Sequence, residues 1–137
     1  MAARLALQCL IFGFLGLGLE VAFTAVLDFL HAKDRRLLGY SSLLYFPLYA
    51  LTPFFFLIAA PIVFPLPLLA RGAVYAVCAF AAEYAAMGAL RLAFGSSPSE
   101  KSYYRSRWNV HGLIRLDFAP AWFAAGLFFE SVFRALN

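Results

Sequence analysis

Four long apolar runs organise the chain, and most polar positions fall between them. The first extends from about Leu5 to Leu30, interrupted by Glu20 and, near its end, by Asp28. The second extends from about Leu43 to Phe64. The third runs from about Gly72 to Phe94 and contains Glu83. The fourth runs from about Gly112 to Phe133, with Arg115 and Asp117 near its start and Glu130 near its end. Each has about the 20 residues that an α-helix needs to cross a hydrocarbon core about 30 Å thick. The pattern therefore predicts an all-α membrane protein with four transmembrane helices in a single domain over residues 1–137, and leaves no room for a separate soluble domain. The first run is longer than the apolar part of a secretory signal, contains Glu20 and is followed by no small-residue cleavage site, so it reads as a retained span.

Three connections separate the runs. The first, about His31 to Ser42, carries Lys33, Asp34, Arg35 and Arg36. The second is a short apolar turn containing Pro65 and Pro67. The third, Gly95 to His111, is long and polar and reads GSSPSEKSYYRSRWNVH. Within the second run Pro47, Pro53 and Pro61 remove backbone donors and are expected to kink or break the helix. Ala81, Ala85 and Ala89 leave room for close helix contact on the third.

Composition narrows the class. Of 137 residues, 64% are hydrophobic and only 13% charged, against about 25% charged in a soluble domain. So short a chain cannot hide that much apolar surface inside itself. A water-soluble globule, a disordered chain and a nucleic-acid-binding module are excluded on this ground, and the lipid bilayer is the expected partner. The net charge of +4 matters through its placement. Loops one and three, with adjoining helix ends, hold Lys33, Arg35, Arg36, Arg91, Lys101, Arg105, Arg107 and Arg115, eight cations against Arg4, Arg71 and Arg134 elsewhere. Cytoplasmic loops carry the excess of Lys and Arg, so loops one and three are expected in the cytoplasm of a cell with the protein in its inner or plasma membrane.

The two halves echo each other. Glu20 is followed by Ala22, Leu27 and Asp28, and Glu83 at the same spacings by Ala85, Leu90 and Arg91. Gly39 is followed by Pro47 and Tyr49, and Gly112 at the same spacings by Pro120 and Trp122. Glutamate and glycine are 19 residues apart in the first half and 29 in the second, so the third loop holds about ten extra residues. This order predicts two tandem helical hairpins related by internal duplication about an axis along the membrane normal.

The stretch NVHGLIRLDFAPAWFAAGLFFE resembles the last helix of the transmembrane protein 229 family and of the bacterial CmpB-type ABC-transporter membrane proteins. GLGLEVAFTAVLDF and AAEYAAMGALRL resemble that family's first and third helices, each with a membrane glutamate. The family has a Trp-Asp-Tyr-Ser motif ahead of an asparagine and a glycine, and the corresponding stretch here reads KSYYRSRWN: Tyr103 matches, as do Asn109 and the following Gly112, while Lys101, Ser102 and Tyr104 stand where the tryptophan, aspartate and serine would be. The resemblance implies a small multi-pass membrane protein and no particular reaction.

The membrane acids are the strongest chemical signal. A charged side chain at mid-bilayer costs about 3 kcal/mol on insertion scales, so Glu20 and Glu83 are expected to face the protein interior. They either fix helix packing or bind an ion or proton. The repeat places them at matching depth, lining one polar pocket with Tyr49, Trp122 and Asn109 as candidate hydrogen-bond donors. Asp28, Arg91, Arg115 and Asp117 form a second set near helix ends. Arg91 is expected to pair with Asp28 or Asp117, and Arg115 to reach toward lipid phosphate. Glu130 and Arg134 are spaced for an intrahelical pair without further function.

Other signals point to no chemistry. Cys9 and Cys78 sit in apolar runs and match no zinc spacing. His31 and His111 have no third ligand, so no metal is expected. GSSPSEKS has Glu100 where a phosphate-binding loop needs glycine, and no strand precedes it, so this chain is expected to bind no ATP. No catalytic Ser-His-Asp or Cys-His set is present, and no cofactor is expected. The expected function is a non-enzymatic transporter-like or membrane-assembly component, self-associating or joined to another membrane protein. The competing class is an intramembrane enzyme acting on a lipid through the acids and the third loop.

Overall fold

The computed structural model describes residues 1–137. The chain is mostly helical, in the order α1 (Ala2–Ala32), a 3₁₀ turn (Leu43–Tyr45), α2 (Phe46–Ala50), α3 (Thr52–Val63), α4 (Leu68–Phe94), the short α5 (Glu100–Tyr103), a two-stranded hairpin, a second 3₁₀ turn (Leu116–Phe118) and α6 (Ala119–Leu136). Strands β1 (Asn109–Val110) and β2 (Ile114–Arg115) are antiparallel, with Asn109 opposite Arg115 and Val110 opposite Ile114. Four helical segments are long and apolar enough to cross a membrane: Ala2–Ala32, Leu43–Val63, Leu68–Phe94 and Leu116–Leu136. Less than a quarter of the most apolar stretch of each is buried within the protein. Phe14, Ile58, Ile62, Leu69, Val77 and Leu92 all point outward. Lipid is the solvent that suits such a surface.

The second span is broken, as its prolines lead one to expect, and the third and fourth spans start elsewhere than the sequence reading puts them, each for a local reason. The second span is broken at Leu51, between α2 and α3, beside Pro53, which has no N–H to give. The amides of Phe54 and Phe55 both turn to the Leu51 carbonyl there, at 3.1 and 3.3 Å. The third span starts at Leu68 rather than Gly72, because Pro67 sits in the extended conformation that opens a helix. The fourth starts at Leu116 rather than Gly112. His111 and Gly112 have φ of 53° and 69°, the paired positive angles of a tight hairpin turn, and the Leu113 amide closes that turn on the Val110 carbonyl at 3.0 Å.

Packing divides the chain into two compact units, Met1–Phe55 and Phe56–Asn137, with the division inside α3. In the first unit α2 lies on α1. A face of α1 bears Gly13 and Gly16, and these bare positions admit rings. A Cβ on Gly13 would meet the Phe46 ring, and one on Gly16 would overlap the ring of Tyr49. Phe12, Tyr45 and Tyr49 fill this core. In the second unit α4 packs on α6. Gly72 receives the Phe123 ring and Gly126 receives Tyr75. Phe56 lies against Phe133 and Tyr75 with ring centroids 5.2 and 5.5 Å apart, which draws the second half of α3 into this unit.

One run of elements occurs in both units, although the second also holds the end of α3, α5 and the β1–β2 hairpin. A long helix ends on a left-handed residue, Lys33 in one and Gly95 in the other. A loop follows, then a three-residue 3₁₀ turn, then a helix with proline in its first turn, Pro47 or Pro120. The 3₁₀ turns begin four residues after Gly39 and four residues after Gly112.

Two glycines of α1 give opposite expectations. In an open helix interior, Gly→Ala stabilises by about 0.5–1 kcal/mol. Gly18 has open space around it, so Gly18→Ala should raise the melting temperature of the purified protein slightly. Gly16→Ala forces the Tyr49 ring off α1, and overpacking of this kind costs about 1–3 kcal/mol. Gly16→Ala should therefore lower the melting temperature. Equal effects at the two sites would show that Tyr49 does not seat on α1.

Candidate functional site

Glu20 lies twelve residues before the end of α1, yet loop one reaches it. Thr24 clips the loop: its Oγ1 donates to the Tyr40 carbonyl at 2.9 Å and accepts from the Tyr40 amide at 2.8 Å. Gly39 passes so close to α1 that a Cβ would collide with the Val21 carbonyl. The loop thereby lays Ser41 beside the carboxylate. Ser41 Oγ donates to Glu20 Oε2 at 2.5 Å, and Tyr49 Oη donates to Glu20 Oε1 at 2.6 Å. These are the short distances of hydroxyls donating to a carboxylate. Tyr49 is buried and Ser41 exposed, so the carboxylate bridges a buried donor and an exposed one. Of the donors expected from sequence, Tyr49 meets Glu20. Ser41 was not foreseen, because nothing in a polar loop signals that it folds back along its own helix.

Glu83 lies eleven residues before the end of α4 and is 2% exposed. Tyr103 Oη, from α5 in loop three, donates to Glu83 Oε1 at 2.7 Å. The sequence reading matched Tyr103 to a family motif but gave it no such role. Trp122 stands ten residues after Gly112, as Tyr49 stands ten after Gly39, but has no hydroxyl, and the hydroxyl on Glu83 comes from loop three. Trp122 is half-buried in the first turn of α6. Asn109, expected as a donor to the acids, bonds within its own hairpin: its Nδ2 donates to the Ser106 carbonyl at 2.6 Å and its Oδ1 accepts from the Gly112 amide at 2.9 Å. Glu20 and Glu83 thus belong to different units, each with donors from its own loop or following helix.

The charged residues near helix ends also sort differently. Arg91 finds its carboxylate in Glu100 of loop three, at 3.0 Å, and also donates to the His111 carbonyl. Arg115 pairs with Asp117 two residues on, at 2.6 Å, and lies over the Phe118 ring. Asp28 is exposed. Arg91 thus pairs with Glu100 rather than with Asp28 or Asp117, and Asp117 pairs with its near neighbour Arg115. Glu100 is the third residue after Ser97 in Ser-Pro-Ser-Glu, a capping-box spacing. Its carboxylate accepts from the Ser97 amide at 2.9 Å. That amide bond and the Arg91 guanidinium hold the Glu100 carboxyl below its ordinary range. In loop one, Asp34 is likewise held low by the Arg36 side chain and amide.

Glu130, which the spacing reads as one half of a plain helical pair, has three side-chain partners. Glu130 is 3% exposed. Arg134 Nε donates to its Oε1 at 2.7 Å, as the spacing predicts. Its Oε2 also accepts from Arg71 Nε at 3.0 Å and from Tyr75 Oη at 2.7 Å, both on α4. Arg134 lies over the Phe64 ring at 3.8 Å. The cluster ties the start of α4 to the end of α6. Arg71 and Tyr75 are one turn apart, a signal present in the sequence but indistinguishable there from interface residues. No three His, Cys, Asp or Glu side chains lie together as a metal site.

Removing one side of such a cluster leaves charges without partners, which costs about 3–5 kcal/mol when the pair is fully buried. Arg71 and Arg134 keep some access to water, so Glu130→Ala should cost less, about 2–3 kcal/mol, with Glu130→Gln in between. Thermal unfolding of the detergent-purified variants measures this. A melting temperature unchanged by Glu130→Ala would remove the cluster from the account of stability.

In comparisons with known proteins, no family model, no curated protein and no solved structure matches this chain.

Proposed function

We propose that the chain is a small multi-pass integral membrane protein acting as a non-enzymatic transporter-like or membrane-assembly component, with Glu20 and Glu83 as its functional acids. The observation that carries this reading is the paired placement of the acids. Each sits on the long first helix of its unit, and each is met by a hydroxyl from the loop that follows. Leucine or alanine there would avoid the cost of a carboxylate in an apolar helix. A carboxylate held between a buried and an exposed hydroxyl can take up and release a proton or a cation from the loop side. The internal duplication belongs to the same proposal. Its support is the run of long helix, 3₁₀ turn and proline-started helix common to the two units, and the four-residue step from glycine to the 3₁₀ turn in each. Membership of the transmembrane protein 229 and CmpB-type family is proposed on the sequence blocks alone. On the charge asymmetry, loops one and three face the cytoplasm of an inner or plasma membrane.

Glu→Gln keeps the shape and most of the hydrogen bonding of the side chain. In cells, Glu20→Gln and Glu83→Gln should each abolish an ion- or solute-uptake phenotype while the protein accumulates normally. If Gln behaves as wild type and only Leu lowers accumulation, the acids are packing elements and the transport reading fails. A deletion strain that changes its lipidome with uptake intact would favour the enzyme alternative instead. Orientation is read in the same strains, freed of Cys9 and Cys78. Cysteines placed in loops one and three should resist an impermeant thiol reagent in whole cells, and one after Arg134 should react. The opposite pattern would reverse the proposed topology.

A further inference from the structure

The structure separates the cations of loop three into two kinds. Arg91 and Arg115 are neutralised locally, by Glu100 at 3.0 Å and by Asp117 at 2.6 Å. Lys101, Arg105 and Arg107 are exposed and have no carboxylate within ion-pair distance. These three stand on a folded frame rather than a slack connection. Glu100 holds the Ser97 amide, Tyr103 is bonded to Glu83, Arg91 and Tyr84 hold His111, and Asn109 closes the hairpin turn. Beside them Trp108 is half exposed, and the Arg107 guanidinium lies 5.4 Å from the centre of its ring.

We propose that the exposed side chains of loop three dock anionic phospholipid headgroups, with Lys101, Arg105 and Arg107 on the phosphates and Trp108 at the headgroup level. The inference rests on the membrane-spanning reading above. Both ends of the loop run into apolar spans, so the surface is held at a leaflet and meets lipid at high effective concentration. Cations near an anionic leaflet are drawn to it, and an exposed indole suits the boundary between headgroup and acyl chain. A soluble acidic protein would need the charges but has no use for an indole fixed at that boundary.

The test uses the full chain reconstituted in nanodiscs. Glu and Asp are left intact, and Trp122→Phe makes Trp108 the sole indole. Brominated phosphatidylglycerol should quench Trp108 more strongly than brominated phosphatidylcholine at equal mole fraction. The preference should fall as salt is added. Each Lys or Arg near an anionic leaflet contributes about fivefold, so Lys101→Gln, Arg105→Gln and Arg107→Gln together should reduce the preference severalfold or more. Lys33→Gln with Arg35→Gln in loop one should leave it unchanged. Association of spin-labelled lipids with protein retaining Trp122 gives the same comparison without the indole substitution. Equal association of the two lipids overturns the proposal and returns the surface to an acidic protein partner. Abolition of the preference by inorganic phosphate at an ionic strength matched with chloride also overturns it, since the ligand would then be free phosphate. Resistance of the protein to alkaline extraction from native membranes reads the membrane assignment separately. A protein that is extracted fails that assignment, and one that resists without lipid preference fails only this inference.

Discussion

A carboxylate on an apolar helix must be given hydrogen-bond donors, and much of the polar architecture of this protein follows from that requirement. Glu20 obtains two hydroxyls and Glu83 obtains one from Tyr103. In each unit a donor comes from the loop that follows the helix, so the loop has to run back along it by about 16–18 Å, eleven or twelve residues at helical rise. The Thr24 clip, the close pass of Gly39 over Val21 and the hydroxyl of Tyr103 are the local devices that achieve this. The helices can be longer than a bilayer core because the loops return to the level of the acids. At 31 residues α1 measures about 46 Å, against a hydrocarbon core of about 30 Å. Glu20 is therefore bonded to Ser41, two residues before the second candidate span begins at Leu43.

The remaining cohesion is aromatic rings set against glycine. Water is not available to drive association between spans, since lipid is as apolar as the side chains, so close contact and buried polar bonds carry the load. Gly13 and Gly16 admit Phe46 and Tyr49, and Gly72 and Gly126 admit Phe123 and Tyr75. In both units a glycine contact and a carboxylate act on the same tyrosine. Tyr49 seats on Gly16 and bonds Glu20; Tyr75 seats on Gly126 and bonds Glu130. The ring gains contact area and the hydroxyl satisfies an acid, which fixes the register of one helix on another better than either alone.

The sequence alone determined that four segments are long and apolar enough to cross a membrane, and roughly where they lie, because span length and apolarity are one-dimensional properties. It also picked out Glu20 and Glu83, since an acid in an apolar run is conspicuous in any register, and it paired Tyr49 with the acids and Glu130 with Arg134 by spacing. It could not assign the remaining donors. Ser41, Tyr103 and the Glu100 partner of Arg91 depend on loops folding back, and Arg71 and Tyr75 reach Glu130 only because α4 and α6 pack with their ends together. Asn109 read as a donor to the acids, but the positive φ angles of His111 and Gly112 turned its amide to the hairpin. Those choices belong to the tertiary structure, because a hydrogen bond requires two groups within about 3 Å, and the distance between residues 20 to 60 positions apart is set by how the chain turns, which apolar periodicity does not encode.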